Sequence, residues 1–273
     1  MNYRHSFHAG NFADVAKHLA LVSAISHLKK KDKPFVVIDT HGGRGLYDLT
    51  SREAKRTAEH GAGIARLAQV QGEGVLGEYL ALVRGAEGQY PGSPLIAAKM
   101  LRPQDRLVAI EKHPEEFAEL RNALRPFTRA RAIEGDGYKE LVALLPPPER
   151  RGLVLIDPPY EDEREFEHAA AAMLAAHRRF ATGVYMLWFP IKSPAAADAF
   201  CGEIANRGID KLLRIDIAIK PPPAKPGRGE PMAAAGLLVV NPPFGLDEDV
   251  RQAAGFVGPA LDARFGTEWL SNS

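Results

Sequence analysis

The chain has 273 residues, 45% hydrophobic and 25% charged, enough to bury a sizeable core and too apolar for a disordered segment. Its 35 Lys+Arg and 34 Asp+Glu leave a net charge of +1, which by itself selects no partner. One cysteine, Cys201, excludes an internal disulfide, and with no apolar run near the ~20 residues of a membrane span and no secretory signal, a cytoplasmic protein is expected.

Asn11 opens a helical pattern, and Asp14 three residues later resembles a capping box. Phe12, Val15, Leu19, Val22 and Ile25 then recur at helical spacing to about Lys30, where lysines suit the negative end of the helix dipole. Asp14, Lys17 and His18 therefore share a face. Residues 35–39 are an apolar run ending in an acid, and His41-Gly42-Gly43-Arg44-Gly45 follows, a buried strand entering a tight glycine loop.

From about residue 47 the rhythm breaks into polar helical segments at 52–66 and 76–84, with no strand candidate. Residues 47–92 are read as a small inserted helical subdomain, within a domain made of 1–46 and 93–273. Pro91-Gly92-Ser93-Pro94 closes the insertion, and a helix resumes over 95–101. Strands are expected at 106–111, 130–134, 153–157 and 183–189, with helices at 115–124, 138–144, 163–179 and 195–207. This alternation implies right-handed crossovers and a mostly parallel, doubly wound α/β sheet, Rossmann-like in kind. Strands at 211–219 and 236–240 have no helix between them and predict an antiparallel pair at one edge.

In such a sheet ligands bind at the carboxyl ends of the strands. The unusual residues lie there: Asp39 to Gly45, Glu111, Asp136-Gly137 and Asp157 to Tyr160. The glycine loop fits neither a dinucleotide fingerprint nor a P-loop, but glycine at Gly43 still lets backbone approach a ligand. Glu111 stands where an acid accepts ribose hydroxyls; alone it reads equally as a surface glutamate beside Lys112, and Asp136 is similarly ambiguous.

Asp157-Pro158-Pro159-Tyr160 is the decisive strip. After an apolar strand it resembles the signature of methyltransferases acting on the amino groups of adenine, cytosine or glutamine. An adenine amine is a poor nucleophile because its lone pair is delocalised into the ring. Two acceptors aimed at its hydrogens, the Asp157 carboxylate and the Pro158 carbonyl, draw it toward the geometry of the transition state. The prolines fix that carbonyl's direction, and Tyr160 offers a face on which an extruded base stacks.

Tyr3 to Asn11, Asp39 to Gly45, Tyr90 to Pro94, and Arg151-Gly152-Leu153 running into the strip resemble the bacterial ribosomal large subunit methyltransferase J family over nearly the whole chain. The resemblance implies a class I fold, S-adenosyl-L-methionine as cofactor, no metal, and 23S rRNA as partner, methylated at N6 of one adenine, number 2030. It implies cofactor contacts at His18, His41, Ser93, Glu111, Asp136, Gly137 and Asp157, and places Tyr3 and Lys17 near the incoming nucleotide. Arg44 departs from the small residues expected in the glycine loop.

Rival readings fare worse. Asn241-Pro242-Pro243-Phe244 also resembles a methyltransferase strip, but follows what reads as the last strand and is taken as a rigid turn. His5, His8, His18 and His41 match no common zinc spacing, and no G-x-S-x-G elbow supports a hydrolase. Cys201 is read as a buried hydrophobe. A DNA adenine methyltransferase of the same chemistry is the alternative; it needs a target-recognition segment that 161–273 do not offer. A non-catalytic binding protein is disfavoured by the intact strip. Residues 1–33 carry six cations against two acids, and 220–231 hold Lys220, Lys225 and Arg228 against Glu230; both patches suit phosphate or plain solvent. No exposed apolar stripe stands out, so a monomer is expected.

Overall fold

The computed structural model describes residues 5–84, 88–162, 164–220 and 231–272; Tyr3, Lys225, Arg228 and Glu230 lie outside them. A short 3₁₀ turn, His5–Phe7, precedes α1, Phe12–Lys29. The Asn11 side chain accepts the Asp14 N–H at 3.0 Å, capping α1, whereas Asp14 reaches back to the Gly10 N–H at 2.9 Å. Apolar residues lie all round α1, from Val15 and Leu19 to Leu21, Val22 and Ile25, so the helix is buried. β1 (Val36–Asp39) follows, then β2 (Leu46–Asp48), α2 (Arg52–Thr57), two 3₁₀ turns (Glu59–Ala62 and Ile64–Leu67), α3 (Gly74–Arg84) and β3 (Gln89–Pro91).

Two expectations for the insertion are corrected here. The 47–92 segment does contain strands: β2 and β3 pair antiparallel, Tyr47 opposite Tyr90. At three residues each they are too short to show periodicity. The helix expected over 52–66 ends at Thr57, because Ala58 turns left-handed (φ 56°) and Gly63 lies against the backbone of Gly10 and Asn11, where a Cβ has no room. Leu67, Leu76, Tyr79, Leu80 and Val83 join the core cluster that contains α1.

The remaining elements are α4 (Ser93–Met100), β4 (Arg106–Glu111), α5 (Pro114–Leu124), β5 (Ala130–Glu134), α6 (Gly137–Ala143), β6 (Gly152–Ile156), α7 (Glu165–Arg179), β7 (Val184–Pro190), α8 (Pro194–Ala205), β8 (Lys211–Ile219), β9 (Ala234–Val240), α9 (Leu246–Leu261) and β10 (Ala263–Asn272). The main sheet has the order β10-β8-β9-β7-β6-β1-β4-β5. β5, β4, β1, β6 and β7 are parallel, with helices on both faces, confirming the doubly wound α/β expectation. The chain winds outward from β1 to β5, then crosses to β6 on β1's other side. That reversal opens a crevice at the carboxyl ends of β1 and β6.

The tail differs from expectation. β9 is an inner strand, antiparallel to both β7 and β8; its run Ala235–Val240 is buried throughout, as suits a strand covered on both faces. The edge is β10, antiparallel to β8, so β9 is not the last strand. Asn241 nevertheless sits far from the crevice. Val240 pairs with Tyr185 at the start of β7, and the Asn241 amide donates to the Ala181 and Gly183 carbonyls at 2.8 Å each. It is a clamp on a turn. Cys201 is 1% exposed.

Candidate active site

One cavity of about 1180 Å³ lies over the crevice, lined by the carboxyl ends of β1, β4, β6 and β7, the start of α6, the N-terminal half of α1, and Tyr47 and Glu59 of the insertion. It gathers His18, His41, Gly43, Ser93, Glu111, Asp136, Gly137, Asp157, Pro158, Tyr160 and Lys17. Every site residue expected from sequence is there except Tyr3, which is outside the described residues.

The glycine loop is held by carboxylates. Asp39 accepts from the Ser93 hydroxyl at 2.6 Å and from the His41 N–H at 3.2 Å; burial pushes its carboxyl up to about 6. Gly43 is left-handed (φ +58°), which turns its N–H onto Glu111 at 2.8 Å. The second Glu111 oxygen accepts the His113 N–H at 2.7 Å. Backbone amides thus fix the direction of this carboxylate, an acceptor that lines the cavity. Arg44 forks onto Glu116, which lines the cavity, at 2.9 and 2.7 Å, and is not itself among the lining residues.

Asp136 spends its side chain as the cap of α6, accepting from Tyr138 and Lys139 N–H, and pairs with Lys112 at 3.0 Å. Gly137 matters by its lack of a side chain: a Cβ there would strike the Thr40 carbonyl. Gly137→Ala is expected to cost about 1–3 kcal/mol, lowering the melting temperature in a thermal scan; an unchanged melting temperature counts against this close approach.

Two histidines are held neutral. His18 is 1% exposed and shares a 2.7 Å hydrogen bond with the Tyr90 hydroxyl; burial lowers its pKa to about 3. His41 bonds Thr40 Oγ1 at 2.8 Å and lies edge-on to Tyr138; burial lowers it to about 4. NMR titration is expected to show the His41 ring neutral down to about pH 4; a midpoint near 6.5 overturns that. Below the ordinary histidine pKa the unfolded chain binds protons these two rings refuse. Their contribution to stability is therefore lost as pH falls from about 6.5 toward 4.

At the base of the cavity lies a buried chain of charges. Lys17, 4% exposed, donates to Asp14 at 2.7 Å and to Asp157 Oδ2 at 2.6 Å, while His5 meets Asp14 at 2.9 Å. Burial alone would discharge Lys17, but the carboxylates of Asp14 and Asp157 outweigh it and raise its pKa. Burial likewise works against the Asp14 charge, and His5 and Lys17 hold that carboxyl well below its usual range.

β6 delivers the strip. Pro158 is buried, and Tyr160 is left-handed at φ 49°, a conformation costing on the order of 1–3 kcal/mol for a bulky residue. It is kept there by its hydroxyl, which donates to the Trp188 carbonyl at 2.7 Å, and by Phe166 and Trp188 against its ring. Sequence reasoning missed the carboxyl end of β7 and the residues after it, Trp188, Pro190, Ile191 and Lys192, which line the cavity; the rule used for the first four parallel strands, applied to the fifth, finds them. It also missed Tyr138 and Glu165, joined at 2.6 Å, and His5 and Glu59, which come from segments without a strand.

A reversing parallel sheet whose strand ends converge on an Asp-Pro-Pro-Tyr strip defines a Rossmann-like methyltransferase. Comparison narrows the class. The family model described as "Ribosomal RNA large subunit methyltransferase D, RlmJ" matches residues 32–271, and the chain belongs to that family. Proteins named Ribosomal RNA large subunit methyltransferase J are similar to it: that of Escherichia coli is 42% identical, over 92% of this chain and 90% of that protein, and that of Haemophilus influenzae 36% identical, over 99% of each. A Legionella pneumophila protein of known crystal structure is 31% identical, with a TM-score of 0.85, covering 96% of this chain and 98% of that one.

Proposed function

We propose that the protein methylates N6 of one adenine of 23S rRNA, adenine 2030, from S-adenosyl-L-methionine, in the cytoplasm. The observation that carries this reading is the Asp157 strip at the floor of a cavity walled by the glycine loop and Glu111. The donor set fits the cofactor: Glu111 for ribose hydroxyls, uncharged His18 and His41 that do not repel a sulfonium, and a loop opened by Gly43 and Gly137. Ser93 serves by holding Asp39, and Asp136 by shaping the start of α6. When bound, the cofactor supplies an electrophilic methyl group on sulfur.

The protein's own part is to align the amine. Lys17 takes Asp157 Oδ2, fixes the carboxylate's rotation and leaves Oδ1 for an amine hydrogen. The Pro158 carbonyl accepts the other, and Tyr160, braced by Phe166, walls the base. The family resemblance assigns Tyr3 and Lys17 to the nucleotide's side of the site. Asp157 need not keep the proton, which can leave after transfer.

The deciding assay is transfer of labelled methyl to protein-free 23S rRNA from a strain lacking this gene, with nucleoside analysis. N6-methyladenosine at one site is expected. Label appearing only in DNA or protein overturns the substrate and leaves the chemistry.

A further inference from the structure

Many cations of this protein are matched by carboxylates: Arg44 with Glu116, Lys112 with Asp136, Arg164 with Asp162, Arg207 with Glu203, Arg251 with Asp247. α2 is different. Arg52, Lys55 and Arg56 are exposed and, three and four residues apart, share one face. None forms an ion pair with a described residue. The Thr50 hydroxyl and amide, at 2.7 Å each, hold the nearby Asp48 carboxyl below its usual range, with Lys55 a lesser cause.

α2 is also flanked by residues that line the cavity. It packs on the His5–Phe7 turn, with the Arg56 guanidinium 5.9 Å from the Phe7 ring centre and the Thr57 hydroxyl donating to the Phe7 carbonyl. His5, at the other end of that turn, and Glu59, just beyond α2, both line the cavity. Lys192 stands exposed on its β7 rim. The lysines that stood out in the sequence lie elsewhere. Lys30 is 13 residues along α1 from Lys17, about 20 Å at 1.5 Å per residue, and Arg151 binds the Lys33 carbonyl beside the start of β6.

We propose that the Arg52, Lys55, Arg56 face of α2 is the docking surface for the phosphate backbone of the RNA substrate beside the target nucleotide, with Lys192 a further cation at the cavity. This rests on the RNA reading above. Guanidinium forks match phosphate oxygens bidentately, and such contacts set register without reading sequence. Holding the backbone at the rim aims the extruded base at Asp157.

The experiment measures cofactor-free binding of the full chain to protein-free 23S rRNA across salt concentrations, together with KM and kcat for that RNA. R52Q/K55Q is compared with the charge-matched K30Q/K31Q. R52Q/K55Q is expected to weaken binding about tenfold, flatten the slope of log K against log salt by about one to two, and raise KM with kcat unchanged. K30Q/K31Q is expected to stay near wild type, and R52K/K55R to retain binding, showing that charge and not folding is read. Equal affinity and slope in R52Q/K55Q and wild type overturn the proposal, as does an equal loss in K30Q/K31Q. Those outcomes leave wild-type methylation standing; a wild-type chain that neither binds nor methylates RNA sinks the proposed function and this surface with it.

Discussion

Asp157→Ala is expected to abolish measurable methyl transfer, a loss of roughly 10³-fold or more, or about 4 kcal/mol of transition-state stabilisation. The fold should survive. The Asp157 side chain is 14% exposed, and its removal leaves Lys17 still paired with Asp14, so no buried charge is stranded. Asp39, whose pKa the Asp157 charge helps to raise, is relieved as well. The expected signature is therefore lost turnover with a melting temperature within a few degrees of wild type. Transfer persisting near the wild-type rate in this variant removes Asp157 from the mechanism, whatever becomes of the substrate assignment.

Lys17→Met is expected to damage stability and activity together. It takes away the ammonium shared by Asp14 and Asp157 and leaves buried carboxylates with less compensation, at a cost of about 3–5 kcal/mol. For a chain of this size that is roughly a 10 °C fall in melting temperature. The sign of its pH dependence follows from burial. Without Lys17 the burial of Asp14 is opposed by His5 and no longer by the ammonium, so the folded pKa of the Asp14 carboxyl rises. An acid raised in this way loses stability as pH rises, so the deficit should be larger at pH 7.5 than at pH 5. Adding Asp14→Asn to Lys17→Met should recover part of the melting temperature but not the activity, since the Asp157 carboxylate stays unbraced. A melting temperature unmoved by Lys17→Met, at either pH, refutes the shared-ammonium account.

Arg44 shows where sequence reading stopped short. A bulky cation in a glycine loop reads as an obstruction, because the loop's own residues say nothing of a partner 72 positions away. Glu116, on α5, takes the guanidinium in a two-pronged hydrogen bond. Asp136 shows the reverse: its position after β5 was legible as part of the pocket, but that its carboxylate caps α6 and meets Lys112 depends on where α6 begins. Tyr160 was legible as an aromatic at the strip. That it is left-handed and moored to the Trp188 carbonyl was not, since β7 becomes its neighbour only through the sheet.

The sequence by itself determined the parallel strands, whose apolar runs and polar ends are local signals, and the strip, whose chemistry resides in four adjacent residues. It also determined α1 and its shared Asp14, Lys17 and His18 face, because helical spacing alone brings them together. Only the tertiary structure decided that β9 lies inside the sheet with β10 at its edge, that β2 and β3 pair, and that Lys17 bridges Asp14 to Asp157 across 140 positions of chain. Periodicity reports which residues seek burial. Strand order, and which buried charge meets which, are settled by long-range packing that no local pattern encodes.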